Sequence, residues 1–254
     1  FKYSRGERKP LYFLIFEPVC LAGTGEREDM QDMDWRGVRA MVFDMDGTLL
    51  NTEQVIVHAA SQTLEHLGHG PLPEGYRMPN MFGTAADLMA DVLIDRGVPL
   101  PPTGRAQLGA LFERFYAERP AGSAPLYEGV REWLQYVHER GIALAVCTNK
   151  QYDLAIHGLE AAGILPLFDA VTGRDTCGMP KPAPDPLLHT LSQLHVPPQN
   201  ALYFGDTHVD AACADAAGVR FVWFSAGFGT PRVREYPQVL AFTDYPSLQQ
   251  LASF

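Results

Sequence analysis

The sequence predicts an α/β fold in which a mostly parallel sheet lies between two layers of helices. Short apolar segments of strand length alternate along the chain with longer segments whose apolar residues recur at helical spacing. Most of these strand-like segments end with a polar residue, and the carboxyl ends of strands are where ligands bind in an open α/β sheet. At 254 residues the chain can bury the substantial core that such a fold requires.

The first predicted strand, residues 39–43, is followed at once by two carboxylates, Asp44 and Asp46. Gly47 tolerates a positive φ, so we expect the chain to turn there and to direct both carboxylates toward one pocket. Like charges this close resist ionisation unless a cation neutralises them, and a divalent metal that prefers oxygen ligands is suited to that. The alternative is that these residues form an ordinary solvated turn.

A different pattern follows, in which three amphipathic helices are predicted with no strand between them. Their apolar residues are spaced helically over residues 52–67, 85–96 and 105–118. We interpret them as a helical cap, residues 54–123, inserted into a core that comprises residues 36–53 and 124–254.

Within the predicted cap, Arg77 is the candidate for substrate selection. A guanidinium group can bind a substrate carboxylate through two parallel hydrogen bonds. The alternative is an arginine that only faces solvent.

The core resumes with a predicted helix, residues 128–140, in which Trp133 belongs to the buried face. The next strand, residues 142–147, ends in Thr148 and Asn149, which would reach the edge of the sheet that carries the first two carboxylates. Both residues also bond readily to nearby backbone, so a simple strand-end turn is the alternative.

Three more polar residues extend the pattern. Lys181 lies between two prolines, where a stiff backbone can aim its ammonium group, although a solvated surface lysine is the alternative. The strand at residues 201–204 leads to Asp206, and Asp210 follows four residues later. These two aspartates could instead stabilise the first turn of a helix at residues 208–217.

Four motifs in this order resemble the haloacid dehalogenase superfamily, and its phosphatase branch in particular. They are Asp44-x-Asp46-Gly47-Thr48, Thr148-Asn149, Lys181-Pro182 and Gly205-Asp206-x-x-x-Asp210. The residues that look most like phosphoglycolate phosphatases are Thr148-Asn149-Lys150, Lys181-Pro182-x-Pro184-Asp185-Pro186-Leu187 and Gly227-Phe228-Gly229. The resemblance, from Val38 to Leu251, implies a Rossmann-like three-layer α/β/α core and an inserted helical cap that closes over a phosphate site.

The resemblance also implies a role for each residue of these motifs. Asp44 would attack phosphorus and form an aspartyl phosphate, and Asp46 would protonate the leaving alcohol and later activate water. Thr148, Asn149 and Lys181 would bind the phosphoryl oxygens.

Mg²⁺ is the cofactor that the resemblance implies. Its ligands would be the carboxylates of Asp44 and Asp206 and the main-chain carbonyl of Asp46, with Asp210 bound directly or through water. The ion would screen the nucleophile from the phosphate dianion that it approaches.

The predicted activity is Mg²⁺-dependent hydrolysis of small phosphate monoesters, with 2-phosphoglycolate as the first substrate to test. Sugar phosphates, amino-sugar phosphates and nucleoside monophosphates would use the same core. A dehalogenase is disfavoured, because a leaving halide needs no proton and Asp46 would be unnecessary. A phosphomutase of the β-phosphoglucomutase type keeps both aspartates and remains an alternative, as does a non-catalytic phosphate-binding module.

The net charge and the cysteine content limit the class of binding partner and the cellular compartment that we expect. A formal net charge of −10 argues against nucleic acid or an anionic membrane as the main partner. No segment approaches the roughly 18 apolar residues of a membrane span. The cysteines lack the spacing of a zinc site or a disulfide framework: Cys20, Cys147, Cys177 and Cys213. We therefore expect a cytoplasmic enzyme, a monomer or homodimer, that acts on a small phosphorylated metabolite.

Residues 1–35 are predicted to form an N-terminal extension. A basic start and an apolar run at residues 11–16 hint at a secretion signal, but Glu17 and Pro18 interrupt it and no clear cleavage site follows. We interpret the residues before about Met30 as a tag or an extra upstream segment, whose deletion should leave activity intact.

Overall fold

The computed structural model describes residues 35–102, 104–119 and 124–252. Its strands are β1 (Ala40–Phe43), β2 (Ala143–Cys147), β3 (Ala170–Thr172), β4 (Ala201–Gly205), β5 (Arg220–Phe224) and β6 (Leu240–Phe242). Its helices are α1 (Glu53–His66), α2 (Ala85–Asp95), α3 (Gly104–Ala117), α4 (Val130–His138), α5 (Tyr152–Ala161), α6 (Asp185–Leu194), α7 (His208–Ala217) and α8 (Tyr245–Leu251). The predicted extension at residues 1–35 lies, except for Trp35, outside the described residues.

The six strands form one sheet in the order β3-β2-β1-β4-β5-β6, and every neighbouring pair is parallel. The predicted α/β fold with a mostly parallel sheet is therefore confirmed. In the register of the sheet, Phe43 at the end of β1 is opposite Val146 of β2 and Phe204 of β4. The loops that leave these three strands consequently start at the same edge of the sheet.

Alternation along β1 divides the core into the two layers that were expected. Met41 and Phe43 belong to a cluster on the face covered by α4, α5 and α8. Ala40 and Val42 belong to a second cluster on the face covered by α6 and α7. Trp133, predicted to be buried, is fully buried in the first of these clusters.

Helix α3 packs against both α1 and α2, and the three helices form a separate hydrophobic cluster. We call these helices and the loops between them the three-helix unit. Two contacts link α3 to the loops of the sheet: Glu113 forms a salt bridge with Arg174, and Lys150 Nζ lies 3.9 Å from the centroid of the Tyr116 ring. That this unit is a cap domain with the bounds given above stays a prediction.

The predicted helix and strand ends differ from the observed ones by one or two residues at most positions. Helix α4 begins at Val130 rather than at residue 128, because Gly129 adopts a left-handed conformation with φ +80°. Within the described part of the chain, no helix combines the length and apolar character needed to cross a membrane.

Candidate active site

The loops that follow β1, β2 and β4 meet around the side chain of Lys181. Lys181 Nζ lies 2.9 Å from Asp44 Oδ1 and 2.6 Å from Asp210 Oδ1, and its side chain is only 2% exposed. It also donates to Cys147 O at 3.2 Å and to the Tyr203 hydroxyl at 2.8 Å. Burial alone would lower the pKa of Lys181, but the carboxylates of Asp210 and Asp44 raise it well above its usual value. The lysine therefore stays charged in the interior.

Asn149 fixes the position of the loop that carries this lysine. Its side-chain amide donates to Lys181 O at 3.0 Å, and its Oδ1 accepts from Lys181 N at 2.9 Å. Thr148 Oγ1 accepts from Lys150 N at 3.2 Å, as expected for a strand-end turn. The turn and the candidate site thus use the same residues, and one interpretation does not exclude the other.

Three buried carboxylates, from Asp44, Asp206 and Asp210, lie so close that one oxygen of each is within 4.8 Å of the others. Burial raises the pKa of Asp44 to about 7, although Lys181 opposes the shift. Burial and the charge of Asp210 also raise the pKa of Asp206 well above its usual value. One ammonium group cannot balance three carboxylates, so the set favours an added cation with a preference for oxygen ligands. Mg²⁺ fits this donor set.

Asp206 is held in place from two sides. Its Oδ1 accepts from Thr48 Oγ1 at 3.0 Å, and its Oδ2 accepts from the main-chain N–H of Phe228 at 2.6 Å. Gly47 and Gly227 pack directly against this carboxylate, and a Cβ at either position would collide with it. Gly47 also has a φ of +82°, as the sequence predicted for the turn.

Asp210 has both of its oxygens occupied by protein donors. Oδ2 accepts from the main-chain N–H of Thr207 at 3.0 Å and from its hydroxyl at 2.6 Å, which completes a capping box at the start of α7. Oδ1 faces Lys181, with the Tyr203 hydroxyl 3.0 Å away. Burial alone would raise the pKa of Asp210, but Lys181 and Thr207 lower it. Asp210 therefore caps α7, as the alternative interpretation expected, and it also belongs to the candidate site.

Asp46 points to a different partner. Its Oδ2 lies 2.7 Å from Lys150 Nζ, and its Oδ1 is buried without a hydrogen-bond partner among the described residues. Lys150 is itself 8% exposed and contacts the ring of Tyr116 on α3. Asp46 thus carries a free acceptor oxygen next to Asp44.

A cavity of about 70 Å³ lies between these loops and the three-helix unit. Its walls on the sheet side include Asp44, Asp46, Thr148, Asn149, Lys150 and Lys181. On the opposite side they include Ile56, Phe82, Leu88, Phe112, Glu113 and Tyr116. Arg77 is exposed and is not among the lining residues, so the structure does not bring it together with the strand-end loops.

Several contacts in this site were not assigned a role by the sequence. Lys150 and Gly227 appeared only as members of motifs, and Tyr116 was not singled out. Lys150 could have been found as the third consecutive polar residue after β2. Gly227 could have been found from the late Gly-x-Gly sequence, because glycine allows the backbone to approach another group closely. The main-chain N–H of Phe228 has no signal of its own in a sequence.

Comparisons with known proteins agree on one family. Residues 41–224 match the profile of the family described as haloacid dehalogenase-like hydrolase. A phosphoglycolate phosphatase from Cereibacter sphaeroides is 33% identical over 212 residues, which cover 83% of this chain and 96% of that protein. One from Rhodospirillum rubrum is 34% identical over 222 residues, or 85% and 91% of the two chains. The crystal structure of a predicted phosphoglycolate phosphatase from Haemophilus somnus has a similar fold, with a TM-score of 0.76, 24% identity and coverage of 85% of this chain and 99% of that one.

Proposed function

The chain belongs to the haloacid dehalogenase-like hydrolase family as one of its phosphatases, and we propose that it hydrolyses small phosphate monoesters with Mg²⁺ through an aspartyl-phosphate intermediate. The observation that carries the proposal is the arrangement around Lys181. A carboxylate that lines the cavity, Asp44, lies beside a buried ammonium group and two further carboxylates. This arrangement suits a nucleophile that must approach a dianion.

In the first step, one oxygen of Asp44 attacks phosphorus while the bond from phosphorus to the leaving oxygen breaks. Lys181 keeps this carboxylate oriented and offsets the negative charge on the phosphoryl oxygens. Asp46, two residues further along the same loop, delivers a proton to the leaving alcohol. In the second step Asp46 takes a proton from water, which attacks phosphorus and releases Asp44.

Thr148 supplies a donor to the non-bridging phosphoryl oxygens in this mechanism, and Lys181 supplies another by giving up one of its four present contacts, since its ammonium group has three N–H donors. Asn149 contributes chiefly by fixing the Lys181 loop through two hydrogen bonds, and one N–H of its amide remains for a phosphoryl oxygen. Lys150 holds the carboxylate of Asp46 at 2.7 Å and limits the orientations that it samples. Positioning of this kind provides most of the catalysis in phosphoryl transfer.

Mg²⁺ would be held by Asp44, by Asp206 and by the main-chain carbonyl of Asp46. We place Asp210 in contact through water, because each of its oxygens already faces two protein donors, whereas each oxygen of Asp206 accepts only one hydrogen bond from the described residues. When bound, the ion supplies positive charge that lowers the repulsion between carboxylate and phosphate.

We further propose that the three-helix unit, with residues 54–123 as its bounds, is a cap over the phosphate site. Glu113 and Tyr116 on α3 reach the loops of the sheet, and the cavity between them is narrow. A narrow cavity and the names of the relatives support 2-phosphoglycolate as the first substrate. The free thiols of Cys147, Cys177 and Cys213 support a reducing cytoplasmic location.

The experiment that tests this function is phosphate release from 2-phosphoglycolate, sugar phosphates and nucleoside monophosphates, each with Mg²⁺ and with EDTA. We expect metal-dependent release, abolished by Asp44→Asn and preserved by Asp215→Asn, which changes an exposed aspartate of α7. Folded protein that releases no phosphate from any substrate would contradict the proposal. Transfer of phosphate between sugar phosphates would then identify a mutase, and stabilisation by phosphate alone a binding module.

A further inference from the structure

The hydroxyl of Tyr116 is buried, lies near the Lys150 ammonium group, and donates to no acceptor among the residues that the structure describes. The residue is 1% exposed and lines the cavity together with Asp44 and Asp46. An unpaired buried hydroxyl costs about 1–3 kcal/mol, so such groups in native proteins generally meet a ligand or water. Tyr116 lies on α3, opposite the residues of the proposed mechanism, on the side where a leaving group would lie.

The surroundings of Tyr116 are positively charged. Lys150 Nζ lies 3.9 Å from the centroid of its ring, and Arg119 Cζ also lies 3.9 Å from it. Two cations this close strengthen the phenol as a hydrogen-bond donor and attract an anion to the same region. Lys150 has three N–H donors, of which Asp46 takes one.

Two acidic residues of the cavity wall, Asp46 and Glu113, are each paired with a cation. Glu113 pairs with Arg174 and Asp46 with Lys150, which leaves Arg119 as a further positive charge at the Tyr116 ring. Apart from Glu113 and Tyr116, the wall on the side of the three-helix unit is apolar; it includes Ile56, Leu88 and Phe112, which offer no partner to the hydroxyl groups of a sugar. The cavity therefore favours a compact leaving group with one anionic end.

We propose that the Tyr116 hydroxyl and the Lys150 ammonium group form a subsite for the carboxylate of the leaving group, which selects phosphate esters of small hydroxy acids. The inference rests on the proposed phosphatase function, and it assigns the selection to Tyr116 of α3 and to Lys150 after β2 rather than to Arg77. Lys150 would then contact both the general acid and the substrate.

A pair of substrates tests the subsite. 2-Phosphoglycolate carries the carboxylate, and ethyl phosphate has a methyl group in its place. For Tyr116→Phe we expect kcat/KM for 2-phosphoglycolate to fall about 10- to 100-fold, the range for a lost hydrogen bond to a charged group. Ethyl phosphate should be hydrolysed as by the wild type. The matched control is Tyr76→Phe, which removes a hydroxyl bound to Asp95 outside the cavity.

Binding provides a second measurement that does not require turnover. In the Asp44→Asn background, calorimetric titration with 2-phosphoglycolate should show an affinity about tenfold lower when Tyr116→Phe is added. Equal losses for both substrates, or no loss for either, would overturn the subsite while the phosphatase function stands. If the wild type hydrolyses nothing, the phosphatase function fails, and the titration alone decides whether the carboxylate binds at Tyr116.

Discussion

Lys181 Nζ lies 2.6 Å from Asp210 Oδ1, and both side chains are almost completely buried. Asp44 Oδ1 lies 2.9 Å from the same ammonium group. One lysine therefore joins the nucleophile predicted after β1 to the start of α7, and it supplies positive charge to this cluster.

Removal of that charge should affect both stability and activity. We expect Lys181→Met to lower the free energy of unfolding by about 3–5 kcal/mol in EDTA, since it leaves buried carboxylates unpaired. Phosphate release should fall by about 10²–10³-fold or more. Urea denaturation measures the first effect, with Arg96→Met on the surface as the control. Mg²⁺ should reduce the difference in unfolding free energy between Lys181→Met and the wild type. If Lys181→Met in EDTA is as stable as Arg96→Met, this account is refuted.

The close packing around Asp206 gives a second prediction. A Cβ at Gly227 would collide with Gly47 O and with the Asp206 side chain. Gly227→Ala should therefore destabilise the protein by about 1–3 kcal/mol and weaken Mg²⁺ binding measured by calorimetry. Gly178→Ala is the matched control, because a Cβ there has open space around it. Unchanged Mg²⁺ affinity in Gly227→Ala would show that this contact does not position the carboxylate.

A pH dependence is expected at the start of α8. Asp244 accepts from Ser247 N at 2.8 Å, and this bond lowers the pKa of Asp244 below its usual value of 3.8. The carboxylate thus contributes stability above pH 3.8, and the contribution is lost as the pH falls through the lowered pKa. Asp244→Ala should cost about 1 kcal/mol at pH 7 and progressively less in acid. Urea denaturation of wild type and variant between pH 7 and acid pH measures this difference in the free energy of unfolding. A difference that does not change with pH would argue against a stabilising role for the Asp244–Ser247 hydrogen bond.

Arg77 provides a test of where substrate selection resides. Its side chain is exposed and lies outside the cavity lining. We therefore expect Arg77→Ala to leave kcat/KM for 2-phosphoglycolate and for ethyl phosphate unchanged. A selective increase in KM for 2-phosphoglycolate would instead support the sequence-based hypothesis that this arginine binds the substrate carboxylate.

Much of the candidate site could be predicted because parallel strands deliver their carboxyl ends to one edge. Asp44, Thr148 and Asp206 each follow a strand closely, and β1 lies between the other two strands. The positions of the strands in the sequence are therefore enough to predict that these residues lie close together. The same reasoning does not reach Lys181, whose placement depends on the Asn149 hydrogen bonds, and there the resemblance to a family was needed.

Other parts of the site depend on packing that local sequence does not specify. Tyr116 reaches the cavity because α3 docks against the loops of the sheet, and its helical spacing alone predicts only a core residue. The contact between Phe228 N and Asp206 comes from the main chain, which looks the same for nearly every residue type. The Arg77 hypothesis required this cation to face inward from the predicted cap, and the structure instead places it on the surface, as the alternative expected.

The position of β1 at the centre of the sheet also determines when the site can form during synthesis. Thr48 and its partner Asp206 are separated by 158 residues, and β1 emerges from the ribosome long before β4. Until β4 has been translated, one edge of an apolar strand stays unpaired, a state that invites aggregation and chaperone binding. Ribosome-bound chains that stop before Ala201 should therefore engage chaperones and lack the carboxylate cluster. The candidate site is therefore completed late in synthesis, when β4 pairs with β1.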